Sequence, residues 1–179
     1  MAPGPVPAPR AGLGSALRVD GVACDDPQAI ALRHASYLDL ATLYPAETAE
    51  VEAAGGFRAL DARLLSTIVA TSLAWLDEEP VGCASLRPLR VAGAPPSATV
   101  GELKKVFVAP HARGRGVGRA VLRHVQGQAR SHGFTSLVLE TGPLQVPAQR
   151  LYLAAGYKSI DEPAGRGADP EALWFGTRL

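Results

Sequence analysis

A run of glycine and arginine between an apolar strand and a helix constrains the fold of this chain more than any other feature of its sequence. The run reads RGRGVG at positions 113–118. The apolar pattern of residues 100–108, closed by Pro110, predicts a buried strand before it. Valines at helical spacing predict a helix over 115–132, which Gly133 ends. The chain must therefore place a glycine-rich turn where a strand passes into a helix.

This turn has the physical properties of an anion-binding site. A helix start carries about half a positive charge and several unpaired N–H groups. Glycines at 114, 116 and 118 present no Cβ and tolerate positive φ, so the backbone can approach a ligand closely. Arg113 and Arg115 add donors that suit phosphate oxygens. A pyrophosphate is the expected ligand, although a surface turn with two arginines requires none.

Two common nucleotide-binding motifs do not fit the turn. The Lys followed by Ser or Thr of a Walker loop is absent. A dinucleotide fold would need a strand with an acidic residue about 20 positions further along the chain. Glu140 lies at about that distance, but it ends a strand that is needed for another purpose. The turn therefore indicates a different kind of phosphate-binding fold.

The rest of the chain predicts one domain of strands and helices. Residues 1–15, built mainly from Ala, Pro and Gly, are expected to form a disordered tail, and residues 16–179 a single domain. The expected strands are 17–22, a hairpin over 67–86 with its turn at 77–79, 135–140, 157–160 and 173–179. The expected helices run from Pro27 to Pro45, over 47–54 with a stop at Gly55 and Gly56, and from Pro147 to Gly156. This order predicts a mixed sheet with helices on both faces.

Charge and cysteine content argue against several classes of function. The formal net charge of +1 lacks the basic excess typical of nucleic-acid binding. Cys24 and Cys83 lie far apart with no second Cys or His at metal-ligand spacing, which argues against a disulfide framework or a zinc site. No apolar run approaches the roughly 18 residues of a membrane span, and no signal-peptide pattern is present. We expect a cytoplasmic protein without a metal, nucleic-acid or membrane partner.

Around the glycine-rich turn, the sequence resembles the acyl-CoA-binding signature of the GNAT superfamily of N-acyltransferases. That signature is Gln or Arg, two residues, Gly, one residue, then Gly or Ala, and Arg113, Gly116 and Gly118 occupy its defined positions. Residues 102–108 resemble the family's fourth strand. Further matches lie in the family's fourth helix, its exit into strand six, and the last strand: Ala148, Leu151, Tyr152, Gly156, Tyr157, Leu173, Trp174 and Phe175. The resemblance covers roughly residues 17–179 and is strongest over 100–157.

The resemblance implies an α/β fold with a mixed, mostly antiparallel sheet of six to seven strands, and an acetyltransferase that uses acetyl-CoA and no metal. The pantetheine arm is expected to add to the fourth strand like an extra β-strand. The coenzyme-binding residues implied are Val106, Phe107, Val108, Arg113, Gly114, Arg115, Gly116, Val117, Gly118, Arg119, Gln145 and Tyr152. The family often carries Asn where this chain has Gln145, whose amide offers the same donors and acceptor on a longer arm.

Two side chains are implied in the chemistry of acyl transfer. Glu102, on the strand that would deliver the thioester, is the candidate general base, acting directly or through a water. The alternative is that Glu102 forms an ion pair with Lys104 on the same strand face. Tyr152 matches the helix tyrosine whose hydroxyl lies near the coenzyme sulfur, and it is expected to protonate the departing thiolate. The backbone N–H of Val108 is expected to polarise the acyl carbonyl.

Other polar and aromatic residues have weaker cases. His34, on the first helix, is a candidate acceptor contact, whereas His111 is more simply an exposed loop residue. An acidic helix face could attract a cationic acceptor or be merely solvated: Glu47, Glu50 and Glu52. The remaining candidates are expected to be solvated histidines or core and cleft-wall aromatics: His124, His132, Tyr37, Tyr44 and Trp75.

The function expected from these residues is transfer of an acetyl group from acetyl-CoA to a primary amine by direct attack in a ternary complex. Neither cysteine lies in the motif region, so no covalent enzyme intermediate is expected. Two alternatives stay open: a non-catalytic acyl-CoA sensor, and an acetyltransferase of protein N-termini or lysines. The acceptor, a small molecule or a peptide, is not identified by the sequence. Relatives of this kind often pair, which leaves a homodimer open.

Overall fold

The computed structural model describes residues 16–163 and 171–179, and within them seven strands form one sheet in the order β1-β2-β3-β4-β5-β7-β6. The strands are β1 (Leu17–Val22), β2 (Ala70–Leu76), β3 (Glu79–Pro88), β4 (Val100–Val108), β5 (Ser136–Thr141), β6 (Lys158–Ile160) and β7 (Leu173–Arg178). Neighbouring strands are antiparallel except for β4 and β5. This confirms the expected mixed, mostly antiparallel sheet. The tail expected over 1–15 lies outside the described residues, as does most of the loop between β6 and β7.

Helices cover both faces of the sheet, as expected. They are α1 (Pro27–Ala41), α2 (Pro45–Ala53), α3 (Gly56–Leu65), α4 (Val117–Ser131) and α5 (Val146–Ala154). A Cβ built on Gly82 of β3 would meet Val117 and Val121 of α4. The next residue, Cys83, points to the opposite face, which α1 covers, because successive side chains of a strand alternate. Among the described helices, none is long and apolar enough to cross a lipid bilayer.

The first helix begins where the sequence predicts and ends earlier. The side chain of Asp26 accepts hydrogen bonds from the N–H groups of Gln28 (2.8 Å) and Ala29 (3.2 Å), and Pro27 opens the helix. The helix ends at Ala41, so Pro45 does not terminate it. Pro45 instead begins α2, because a fixed φ and a missing N–H suit the first turn of a helix.

The sequence reasoning missed the third helix. Gly55 and Gly56 do end α2, with φ values of 103° and 68°. The chain turns there and immediately begins α3, in which Asp61 and Leu64 are buried. The glycines were therefore a boundary between two helices and not the end of helical structure.

Candidate functional site

The two parallel strands of the sheet separate partway along their length. Residues 100–103 of β4 pair with residues 136–139 of β5, and the pairing stops there although both strands continue. On its other side β4 stays paired with β3 as far as Val108. A bulge lies at the same place, since the β3–β4 register shifts there and Lys105 has a φ of 54°. The second half of β4 therefore has an open hydrogen-bonding edge.

The peptide groups that face this open edge can be identified from the neighbouring hydrogen bonds. Ala109 N–H donates to Val81 C=O of β3 at 2.8 Å. Because successive residues of a strand direct their N–H groups to opposite sides, Val108 N–H points away from β3. Val106 has the same orientation, two residues earlier. Val106 thus offers a main-chain donor and acceptor, and Val108 a main-chain donor, to an extended ligand lying beside β4. The Val108 C=O already accepts from Arg113 Nε at 3.0 Å.

The glycine-rich turn lies between β4 and α4, as the sequence predicts. Gly114 and Gly116 have φ values of 75° and 82°, which side chains with a Cβ rarely adopt. The first hydrogen bond of the helix runs from Ala120 N–H to Gly116 C=O at 3.1 Å. The N–H groups at positions 117–119 therefore have no acceptor within the helix. Those donors and the positive end of the helix dipole suit an anion.

Gly118 has a packing role besides the one its position in the motif suggests. A Cβ built there would lie 2.8 Å from Cδ2 of Leu151 on α5. The missing side chain therefore allows α4 and α5 to pack closely, in addition to any ligand contact of the backbone.

A cleft of about 420 Å³ joins the open edge of β4 to this turn. Its wall contains all of the predicted coenzyme-binding residues except Arg115, which is exposed outside it. The additional lining residues are Ala112, Leu144, Pro147, Ala148 and Leu151 from the turns and α5, and Ser36, Asp39, Leu40 and Leu43 from α1 and its C-terminal end. The structure thus brings together sequence segments that lie more than 100 residues apart.

The contribution of α1 to this cleft was missed by sequence reasoning. Ser36, Asp39, Leu40 and Leu43 follow the i, i+3, i+4, i+7 spacing of one helical face. That spacing was a signal available in the sequence, but the polar side chains at 36 and 39 make the face look solvated. By contrast, His34 packs against the Phe57 ring of α3, with ring centroids 4.6 Å apart, and does not line the cleft.

Tyr152 faces the cleft from α5 and is almost completely buried, with 5% of its surface exposed. Its ring centroid lies 6.0 Å from those of Tyr157 and Phe175. Burial, with a smaller effect of Tyr157, raises the pKa of Tyr152 far above its usual value. The hydroxyl group therefore keeps its proton throughout the neutral range.

Glu102 does not reach the cleft. Its side chain is fully buried, and its carboxylate binds Arg87 Nε of β3 at 2.8 Å and lies 3.4 Å from Lys104 Nζ. Lys104 also pairs with Glu140 of β5. The carboxylate thus belongs to a charge network across β3, β4 and β5. This placement does not suit the predicted general base and favours the alternative of an ion pair with Lys104.

The other histidines also lie outside the cleft wall. His124, expected to be solvated, is partly buried because α4 packs on β2, and its Nδ1 lies 2.9 Å from Ser72 Oγ. His111 is exposed, as expected, and lies 3.1 Å from the Glu79 carboxylate. His132 is exposed and contacts the last turn of α4. None of these arrangements assigns a ligand contact to a histidine.

The remaining candidates connect secondary-structure elements. Tyr37 of α1 donates a hydrogen bond to Glu52 of α2 at 2.5 Å. Trp75 of β2 donates through Nε1 to Gln28 of α1 at 3.1 Å. Glu47 and Glu50 lie on α2, and α2 has no side chain in the cleft. The acidic face of α2 is therefore separate from the cleft.

Comparisons with known proteins agree with this geometry. Residues 35–157 match the model of the Acetyltransferase (GNAT) family. The chain is 37% identical over 75 residues to the IAA acetyltransferase of Azospirillum brasilense, a match that covers 42% of this chain and 49% of that protein. The chain thus spans about half the length of this curated relative.

Solved structures with a similar fold cover nearly the whole chain. A protein of Klebsiella pneumoniae described as an acyl-CoA N-acyltransferase is 25% identical, with a TM-score of 0.69, over 91% of this chain and 97% of that one. The PaiA N-acetyltransferase of Thermoplasma acidophilum, solved in complex with coenzyme A, has a TM-score of 0.68 at 15% identity, over 92% and 99% of the two chains. The latter likeness concerns the fold alone.

Proposed function

The chain belongs to the GNAT family of acetyltransferases, and we propose that it transfers an acetyl group from acetyl-CoA to a primary amine. The observation that carries this proposal is the open edge of β4, which leads directly into the glycine-rich turn. An extended pantetheine arm needs such an edge, and the diphosphate attached to it needs the donors of a helix start. Both features lie in one cleft.

The residues present fit the coenzyme. Val106 and Val108 offer main-chain groups that suit the amides of the pantetheine arm, and Gln145 lines the same cleft. The N–H groups at the start of α4, with Arg113 and Arg119, suit the diphosphate. A cleft of about 420 Å³ is within the usual size range of small-molecule sites. Bound acetyl-CoA would supply the acyl group as a thioester.

Two groups of the chain suit the chemistry of the thioester. Val108 C=O accepts from Arg113 Nε, which puts Val108 at the phosphate end of the cleft. The Val106 N–H, two residues farther from the turn, is therefore better placed than the expected Val108 N–H to donate to the acyl oxygen as negative charge develops. Tyr152, whose raised pKa keeps its hydroxyl neutral, can donate to the sulfur as the thiolate departs. We assign the first group to carbonyl polarisation and the second to general-acid help.

The burial of Glu102 changes the proposal for the base. An alkylamine with a pKa near 10.4 is only about 0.1% neutral near pH 7.4, a deficit of roughly 4 kcal/mol. Because Glu102 is enclosed by Arg87 and Lys104, we propose that the amine loses its proton to water before attack. The rate at subsaturating acceptor should then rise with pH until the amine itself is neutral.

The test is thiol release from acetyl-CoA across a panel of small amines and peptides, with coenzyme A binding measured by calorimetry. Tyr152→Phe should retain coenzyme affinity and lose turnover by about 10²- to 10⁴-fold. The matched control is Tyr157→Phe, since that ring contacts Tyr152 but is not part of the cleft wall. Absence of coenzyme A binding would contradict the proposal.

The alternatives predict different outcomes of the same experiment. A sensor would bind coenzyme A, release no thiol with any amine, and be unaffected by Tyr152→Phe. An acetyltransferase of protein N-termini or lysines would release thiol with the peptides and not with the small amines. Parallel lines in double-reciprocal plots would contradict direct attack in a ternary complex.

A further inference from the structure

Arg113, the first residue of the signature, already has a carboxylate partner inside the cleft. Its Nη2 donates to Oδ2 of Asp39 on α1 at 2.7 Å. Its Nε donates to Val108 C=O at 3.0 Å, and its guanidinium lies 6.0 Å from the centroid of the Phe107 ring. The arginine therefore connects α1 to the end of the open edge of β4.

Asp39 lies in a cleft that suits an anionic ligand, which is an unfavourable place for a carboxylate that has only a structural role. Asp39, Arg113 and the turn glycines at 114 and 116 line the same cleft. The side chains of Asp39 and Arg113 are 41% and 46% exposed, so neither is committed to the core. A negative charge beside the helix start opposes the binding of a diphosphate. An ion pair this exposed is also weak enough to be replaced.

We propose that Asp39 is the resident counter-ion of Arg113 and that coenzyme binds by partner exchange. The Asp39 carboxylate releases Arg113, which then pairs with a phosphate oxygen of the coenzyme. Asp39 thereby lowers coenzyme affinity and acts as an affinity-determining residue of the phosphate site. This inference rests on the proposed function, because it takes the ligand of the turn to be a coenzyme diphosphate.

The exchange also links coenzyme binding to α1. The same helical face that carries Asp39 supplies Ser36 and Leu40 to the cleft, and Leu43 follows at the end of the helix. When Arg113 is paired with Asp39, the ion pair links this face of α1 to the glycine-rich turn. When Arg113 pairs with phosphate, this link between α1 and the glycine-rich turn is lost.

The experiment compares coenzyme A binding by calorimetry in the wild type, Asp39→Asn and a matched control. Asparagine keeps the shape of the side chain and removes its charge. The control is Asp20→Asn, which removes the same charge from another exposed Asp–Arg pair, that of Arg18 and Asp20 on β1 at the far edge of the sheet. We expect Asp39→Asn to tighten binding by about three- to tenfold and Asp20→Asn to leave it unchanged.

Two further measurements separate exchange from other roles of Asp39. The gain should be smaller when Arg113 is replaced by Ala, since only the direct repulsion between Asp39 and the diphosphate is then relieved. It should be absent for pantetheine, a coenzyme fragment without the diphosphate. Equal or weaker coenzyme binding by Asp39→Asn, or a gain at least as large in the Arg113→Ala background, would overturn the inference. Wild-type protein that does not bind coenzyme A would instead overturn the proposed function.

Discussion

The phenol oxygen of Tyr44 accepts a hydrogen bond from the backbone N–H of Leu144 at 2.9 Å, although 100 positions separate the two residues. Tyr44 precedes α2, and Leu144 lies in the loop between β5 and α5. Gly142 of the same loop has no Cβ, and one placed there would collide with the Tyr44 hydroxyl. This contact fixes the loop from which Gln145 enters the cleft.

Gly142→Ala should destabilise the protein more than Tyr44→Phe. The phenylalanine removes one hydrogen bond, which is worth about 1 kcal/mol, whereas the alanine forces the tyrosine ring away from the loop. Urea unfolding of both variants measures the difference. In a Tyr44→Ala background the collision is absent, so Gly142→Ala should cost less there. Equal costs in the two backgrounds would contradict the contact.

Asp61→Asn should be among the most destabilising substitutions in the chain. Asp61 of α3 accepts from Arg33 Nε at 2.6 Å and from Nη2 at 3.0 Å, and the side chains are 6% and 1% exposed. Asparagine leaves the guanidinium buried without a counter-charge, at a cost of about 3–5 kcal/mol. Denaturant unfolding measures it. The double variant Arg33→Met/Asp61→Leu should recover most of the loss, and a cost below about 1 kcal/mol for Asp61→Asn would refute the argument.

Glu102→Gln should reduce stability and leave the pH dependence of turnover in place. The substitution removes the negative charge that faces Arg87 and Lys104, and these two cations are largely buried. The kcat/KM for the amine, measured on folded protein, should rise with pH over the same range as in the wild type. Loss of that rise, together with a drop of about 10²-fold or more in rate, would restore Glu102 as the general base.

Cys83 should resist alkylation in the folded protein at pH 8.5, whereas Cys24 reacts. Cys83 is fully buried, and this burial raises the pKa of its thiol from 9.0 to about 12, so little thiolate exists at that pH. Cys24 is only partly buried. Iodoacetamide labelling followed by mass spectrometry distinguishes the two sites, with urea-unfolded protein as the control in which both react. Labelling of Cys83 in native protein at the rate of Cys24 would count against the assignment.

The raised pKa of the Cys83 thiol also makes the stability of the protein depend on pH. A thiol whose folded pKa exceeds its unfolded value favours the folded state in its neutral form. That contribution is complete below pH 9 and is lost as the pH rises towards 12. Cys83→Ala should therefore lose stability less steeply than the wild type over this range, which urea titrations at several pH values can measure.

The sequence by itself determined the features that depend on neighbouring residues. The valines at 117, 121 and 125 recur once per helical turn, and all three are buried in α4. The glycines at 114 and 116 have positive φ values, which a residue without a Cβ adopts at no steric cost. Asp26 and Pro27 similarly specify the start of α1. The turn, the helix after it and the family resemblance could be predicted because their physical causes are local.

Only the tertiary structure decided which side chains face the cleft and which are enclosed. Glu102 and Asp39 are both carboxylates, yet packing encloses one between Arg87 and Lys104 and leaves the other beside Arg113. The separation of β4 from β5 likewise depends on pairing between distant segments. Sequence periodicity gives the direction of a side chain on its own helix or strand. It does not give the partner packed against it, because that partner comes from elsewhere in the chain and is fixed only when the core forms.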